Sequence, residues 1–322
     1  MSGAVVNRGR RAFIGSSGTV ALALCVSGVS SLAAAGRAIA AGPQHVKAPG
    51  ADARRSDARR VVVIGGALAE IVYALNAQAR LVGADTTCTY PDAARKLPKI
   101  GYQRALSAEG LLSLRPDLVL ASAEAGPPAA LSQVKSAGVA VRSFAEGHDA
   151  DTVRMKINGI AGALDAHGAG TSLLARFDSE WQATRAAVAA SPLAQAARTG
   201  KAPRVLFVLN HTGNQALVAG QRTAADAMLA YAGARNVMQG FAGYRPLTAE
   251  ALIAAAPDVV LTTGEGLAAA GSAQALFTAP GFAETPAGRA QRLVSLDALF
   301  LLGFGPRLPA AVAALNQKLT AA

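Results

Sequence analysis

Apolar and polar positions fall into blocks along this chain, and the blocks have two periods. "RRVVVIGGALAEIVYALNAQARLVGAD" opens with an unbroken apolar run, Val61 to Ile64, the mark of a short strand buried on both faces. Gly65-Gly66 then predicts a tight turn. Leu68, Ile71, Val72 and Leu75 follow at helical spacing, which predicts a helix over Ala67 to Leu75. Leu81 to Ala84 reads as a second strand. Strand, helix and strand make a β-α-β unit, hence a parallel sheet. The turn is not G-x-G-x-x-G, so a dinucleotide reading is weak.

A second pattern occurs twice. "GYQRALSAEGLLSLRPDLVLASAE" (101–124) returns as "GYRPLTAEALIAAAPDVVLTTGE" (243–265). From Leu106 to Glu124 the offset is a constant 141, and 9 of the 19 positions are identical. Ser107 or Thr248 caps a helix, and Glu109 or Glu250 lies in its first turn, where the helix dipole favours an acid. Pro116 or Pro257 stops the helix, and Asp117 or Asp258 leads into a buried strand. Two such units predict two similarly wound α/β lobes. "RVLFVL" (204–209) is then the first strand of the second lobe, and "TAADAMLAYAGARNV" a helix ending at its Gly.

Between the lobes, residues 151–190 read as almost wholly helical. One helix is expected to break near Gly168 to Gly170. A second follows, with Leu173, Leu174, Phe177 and Trp181 on one stripe. No Pro lies between Val153 and Ser191. A long helix crossing once is a stiff connector, unlike two or three extended linkers. Met155, Met228 and Met238 sit in helical patterns and read as core.

The N-terminus changes the compartment. Arg10 and Arg11 precede an apolar stretch, Thr19 to Ala35, too short and too weakly apolar for a membrane span. "AIA" at Ala38 to Ala40 fits a cleavage site. Residues 1–40 therefore read as an export signal resembling the twin-arginine type, with general secretion as the alternative. Cys25 raises lipidation, but Leu24 stands where a small residue is expected. Residues 41–58 read as a flexible leader, 59–150 as the N-terminal lobe and 191–322 as the C-terminal lobe. The mature protein is expected in the periplasm.

Charge and cysteines narrow the partners. The formal charge is +11, and cleavage after Ala40 would remove four arginines and no acid, leaving +7. The basic residues are scattered and aromatics are few, so nucleic acid is not an expected partner. Cys88 alone would remain, which excludes an internal disulfide and reads as a small buried residue. The histidines, His45, His148, His167 and His211, form no cluster, and no nucleophile elbow is present. Two α/β lobes, a stiff crossing and an export signal describe a substrate-binding protein with its ligand between the lobes. An exported two-lobed enzyme is the alternative class.

The residues also carry a family likeness. "VVVIGGALAEIVYAL", "LVGADTTCTYPDAARKLPKIGYQRALSAEGLLSLRPDLVLAS", "VLFVLNHTG", "AGQRTAADAML", "FAGYRPLTAEAL" and "PGFAETPAGRAQRLVSLDALFLLGFGPRLP" resemble, in order and spacing, the haem-binding periplasmic proteins of bacterial haem ABC importers. The likeness spans roughly residues 59–310. The wider superfamily includes vitamin B12 and siderophore binders, so a corrinoid or an iron-siderophore stands as the alternative ligand.

The resemblance implies two parallel-sheet lobes joined by one linker helix, with haem as the transported ligand in the cleft and no enzymatic activity. It implies a tyrosine ligand to the iron, and the matching position is Tyr90 in "TTCTYP", where the family usually has Ser in place of Cys88. Some members add a histidine from the second lobe, for which His211 is the candidate, although "NHTGN" departs from the commoner "SHGG". Others place an arginine beside the tyrosine, which Arg245 matches. Tyr102, Arg104 and Tyr244, in the repeated turns, are expected to line the cleft or meet propionates. Glu109 and Glu250 match positions that pair with permease arginines. The expected partners are haem and a dimeric inner-membrane ABC permease, with the binding protein itself a monomer.

Overall fold

The computed structural model describes residues 60–212 and 215–322. The expected signal (1–40, with Cys25) and leader (41–58) lie outside the described residues. Each expected lobe is built on its own sheet. In the N-terminal lobe, β1 (Val61–Ile64), β2 (Leu81–Ala84), β3 (Leu118–Ser122) and β4 (Ala140–Phe144) are all parallel, in the order β2-β1-β3-β4. The helix Gly66–Ala74 joins β1 to β2.

The C-terminal sheet comprises β5 (Arg204–Thr212), β6 (Gln215–Ala219), β7 (Arg235–Asn236), β8 (Tyr244–Leu247), β9 (Val259–Thr263) and β10 (Leu293–Leu296). Its order is β10-β9-β5-β6-β8, with β7 beside β5. The parallel pairing expected throughout holds for β10-β9-β5 and β7. β6 and β8 are antiparallel. Two residues separate β5 from β6, and so short a connection can only reverse the chain.

The repeat survives in three dimensions, down to the backbone. Ser107 Oγ accepts from Gly110 N at 3.2 Å, and Thr248 Oγ1 from Ala251 N at 3.3 Å, each capping its helix, Ala108–Ser113 or Ala249–Ala255. A proline disfavours right-handed helical backbone in the residue before it. Arg115 and Ala256, the residues before Pro116 and Pro257, leave their helices in the left-handed region, at φ 44° and 43°.

The crossing differs from expectation at one point. The first linker helix is Ala150–Ala163 and the second is His167–Ala190, so the break falls at residues 164–166, where Asp165 has φ 52°. Gly168 and Gly170 lie inside the second helix. Gly170 is a packing glycine, not a breaker: a Cβ there would come within 2.5 Å of Ala161 Cβ. At 24 residues the second helix is about 36 Å long. Its Leu173, Phe177 and Trp181 are buried, as the stripe requires. The terminal helix Leu308–Ala321 packs along it, and Asn316 Nδ2 donates to Ser191 Oγ at 3.0 Å and to Ala232 O at 2.9 Å.

One buried apolar cluster therefore runs from Val61 and Leu68, through Ile157, Phe177 and Trp181, to Val205, Phe207 and Leu315. The outer faces of the two sheets carry separate clusters. Met228 joins the continuous core as expected and Met238 is partly buried, but Met155 is 59% exposed. Its helix buries Val153, Ile157 and Ile160 instead, a stripe that leaves position 155 outside.

Candidate functional site

Parallel strands collect their carboxyl-end loops on one edge, the usual place for a ligand in open α/β sheets. Here the carboxyl edges of both sheets border one cleft of 890 Å³, within the range of ligand sites. The N-terminal lobe contributes Gly65 and Gly66 after β1, Thr87 and Thr89 after β2, Glu124 after β3 and His148 after β4. The C-terminal lobe faces them with Leu217, Arg222, Tyr244, Leu299 and Phe304, among others.

The loop after β2 carries Tyr90 and is fastened from beneath. Asp85, fully buried, accepts from Gly65 N at 2.7 Å, Thr87 N at 2.9 Å and Cys88 Sγ at 3.0 Å. Gly65 reaches it at φ 119°, a conformation that side chains disfavour. Lys99 Nζ donates to two carbonyls of the same loop, Cys88 O at 3.2 Å and Asp85 O at 3.4 Å, and to Ala94 O in the short helix that follows it, at 2.9 Å. Burial, with Asp85 alongside, pushes the Cys88 thiol well up, so it stays protonated packing.

Tyr90 itself is 44% exposed, and its peptide to Pro91 is cis. Over its ring lies the guanidinium of Arg307, 3.6 Å from the centroid. Arg307 comes from the other lobe, in the segment before the terminal helix. It forms a two-pronged pair with Glu70 of the Gly66–Ala74 helix: Nε to Oε2 3.0 Å and Nη2 to Oε1 2.5 Å. Glu70 is 5% exposed; burial raises its pKa against the opposing pull of Arg307.

Tyr244 and Phe304 also bring the C-terminal lobe close to N-terminal-lobe residues. Arg104 pairs closely with Glu124, and Tyr244 stands near both. Burial raises the Tyr244 hydroxyl pKa, and the Glu124 charge adds to it. His148, whose pKa burial lowers, lies with its ring 5.3 Å from that of Phe304. Behind it, the buried Lys156 donates to Glu146 Oε2 at 2.9 Å.

The expected residues thus separate into groups. Tyr102, Arg104 and Tyr244 line the cleft. Tyr90 is itself not among the lining residues; it directly follows Thr89, which is. Arg245 is not among the lining residues: it follows Tyr244 on β8, and successive strand residues face opposite ways. Its guanidinium lies 5.0 Å from the Phe241 ring, so the arginine on Tyr90 is Arg307 instead. His211 is on β5, paired in register with Ala216, its ring 6.1 Å from that of Phe282, and is likewise not among the lining residues. Glu109 and Glu250 are exposed in the first turns of their equivalent helices.

Glu70, Asp85, Lys99 and Arg307 were not legible as site residues. For Glu70 a signal existed: a lone acid amid the apolar residues of "GALAEIVYA" must be buried, and a buried carboxylate needs a partner.

A family model described as "Periplasmic binding protein" matches residues 61–299. The chain belongs to the periplasmic binding protein family. Among solved structures of such binding proteins, it is similar to the periplasmic heme-binding protein BhuT in complex with two hemes: 68% identity, TM-score 0.77, covering 81% of this chain and 98% of that one. It is 40% identical to the periplasmic heme-binding protein RhuT from Roseiflexus sp. RS-1 (TM-score 0.76, 82% and 98% covered). A periplasmic heme binding protein from Pseudomonas aeruginosa follows at 36% identity (TM-score 0.72, 82% and 94% covered). Among curated sequences, an ABC transporter substrate-binding lipoprotein of Bacillus subtilis, YvrC, whose function is uncharacterized, is 26% identical over 258 residues, 79% of this chain and 77% of its own. A vitamin B12-binding protein of Yersinia pestis matches at 30% over only 84 residues, 26% of this chain and 30% of its own.

Proposed function

We infer that this periplasmic binding protein captures ferric haem between its lobes and delivers it to an ABC importer. The observation that carries the reading is the 68% identity across 98% of BhuT, a protein solved with two hemes bound. The corrinoid alternative has weaker support, since the vitamin B12-binding relatives match only 84 residues. An exported enzyme has no support among these relatives, which are transport and haem-binding proteins.

In this reading Tyr90 is the axial ligand. A phenolate is a hard anionic donor suited to ferric iron, as in tyrosine-ligated haem sites. The cleft offers apolar side chains such as Leu217, Leu299 and Phe304 for the macrocycle. It offers Arg104 and Arg222 for carboxylates. Glu109 and Glu250 are proposed as a pair of docking points, one per lobe, for the two equivalent halves of a dimeric permease, with the binding protein acting as a monomer. Titrating the purified protein with hemin tests the reading directly. A Soret band that saturates at one or two equivalents is expected; a protein that binds cobalamin and leaves hemin free would replace haem with a corrinoid.

A further inference from the structure

We propose that Arg307 is a positioning residue for Tyr90: a guanidinium supplied by the C-terminal lobe and anchored on buried Glu70 holds the iron-binding ring of the N-terminal lobe in place. The inference rests on the reading of Tyr90 as the iron ligand. Three observations carry it. The Arg307 guanidinium stands 3.6 Å from the Tyr90 ring centroid, the closest such stacking among the described residues. Its hydrogen-bonding fork is already spent on Glu70, through contacts of 3.0 and 2.5 Å. A fork fixed at two points cannot swivel, so the flat face of the guanidinium is presented in one orientation, and an arginine face stacks well on an aromatic ring.

Local packing explains how the lobes come close enough. Gly305 has no Cβ; one built there would stand 3.1 Å from Glu70 Oε2 and 3.5 Å from Ala67. A Cβ on Gly66 would stand 2.5 Å from Leu299 Cδ1. The segment 299–307 thus lies directly on the Gly66–Ala74 helix, and "GFGPRLP" gains a role: bare backbone for the approach, then the arginine. The Phe300 ring, 5.0 Å from the same guanidinium, adds an apolar neighbour. The Tyr90 hydroxyl has no hydrogen-bond partner among the described residues, so the ring is gripped by its face while its oxygen stays available to a metal.

The consequence is that iron coordination by one lobe depends on a side chain of the other that donates nothing to the iron. The test uses the full chain loaded with hemin. Arg307→Lys keeps the charge and loses the flat face and the fork. The double variant Glu70→Leu/Arg307→Met removes the pair together and leaves no buried charge alone. In both, the tyrosinate-to-iron charge-transfer absorption is expected to weaken and shift, and haem loss to excess apomyoglobin to accelerate about tenfold. A thermal melt of each variant checks folding; should the double variant not fold, Arg307→Lys decides. Unchanged absorption and unchanged haem loss in the folded variants, with the absorption lost in Tyr90→Phe, overturn the inference alone. Persistence of the absorption in Tyr90→Phe overturns the reading of Tyr90 and the inference with it.

Discussion

The backbone N–H of Arg204 lies 2.8 Å from Oδ2 of Asp258, so the residue that opens β5 is bonded to the acid that enters β9. The other lobe makes the same bond, Arg60 N to Asp117 Oδ2 at 3.0 Å. The two guanidinium groups then diverge. Arg204 closes a fork on Asp258, at 3.1 and 3.0 Å, while Arg60 donates to Arg115 O and Leu114 O at the carboxyl end of the adjacent helix. The repeated "PD" is therefore a clamp between neighbouring parallel strands. Burial opposes ionisation of Asp258, but the Arg204 hydrogen bonds and charge outweigh it and hold the pKa below the usual carboxylate range. A depressed carboxylate stabilises the fold above its unfolded pKa, about 3.9, and loses that contribution as pH falls through the folded value. Asp258→Asn should cost about 1 kcal/mol at neutral pH and flatten the acid limb of the stability curve below about pH 4, measured by urea unfolding across pH.

Tyr90→Phe keeps the ring beneath Arg307 and removes only the oxygen. Hemin titration should show the charge-transfer absorption gone and affinity lower by at least about tenfold. His211→Ala should do less, because the His211 ring lies against Phe282, whereas the Tyr90 hydroxyl has no hydrogen-bond partner among the described residues. The reverse ranking would move the iron ligand to His211.

Glu109 and Glu250 make no ion pair among the described residues, and the local hydrogen bonds of its own helix turn, with Thr248, lower the Glu250 pKa, so it remains a charge on offer. In cells that depend on haem iron, the double variant Glu109→Ala/Glu250→Ala should lose uptake while its purified protein binds hemin as before. Growth at the unsubstituted rate excludes these acids as docking points.

Cys88 is fully buried and bonded to Asp85, with its thiol pKa raised. Iodoacetamide should label it slowly in the native protein and quickly in urea, as followed by mass spectrometry. Fast native labelling would mean that the loop bearing Tyr90 opens readily.

Trp181, the sole tryptophan, is 8% exposed and meets the Tyr231 ring edge-on at 5.0 Å. Trp181→Ala should destabilise the protein by about 3–5 kcal/mol in chemical denaturation. Both lobes should still unfold in one transition, since one cluster joins them.

Much of this fold was legible because buried parallel strands write themselves as apolar runs: "VVVI", "LVLAS", "VVLTT". β6 and β8 were not. β6 has only the short run "ALVA" after the exposed Gln215, and β8, mostly exposed and interrupted by Arg245 and Pro246, has none. The linker break was misplaced because a glycine in sequence does not declare whether it ends a helix or lets one approach another, as Gly170 does at Ala161. The place of Tyr90, in the loop after β2 at the carboxyl edge of the sheet, was legible from the strand pattern. Arg307 was not, because its contact with Glu70 spans 237 positions and crosses the cleft. Arg245 was the local choice, and the alternation of β8 turned it away.

The apolar cluster that runs through the His167–Ala190 helix also bears on signalling. A body whose two lobes share one buried cluster has little freedom to gape when empty and shut when full. In the docking proposed for Glu109 and Glu250, a permease would then meet the same separation of those acids in the empty and the loaded protein. Under that proposal the difference between empty and loaded protein would lie in the posture of side chains such as Tyr90, Tyr102 and Tyr244, each more than a third exposed.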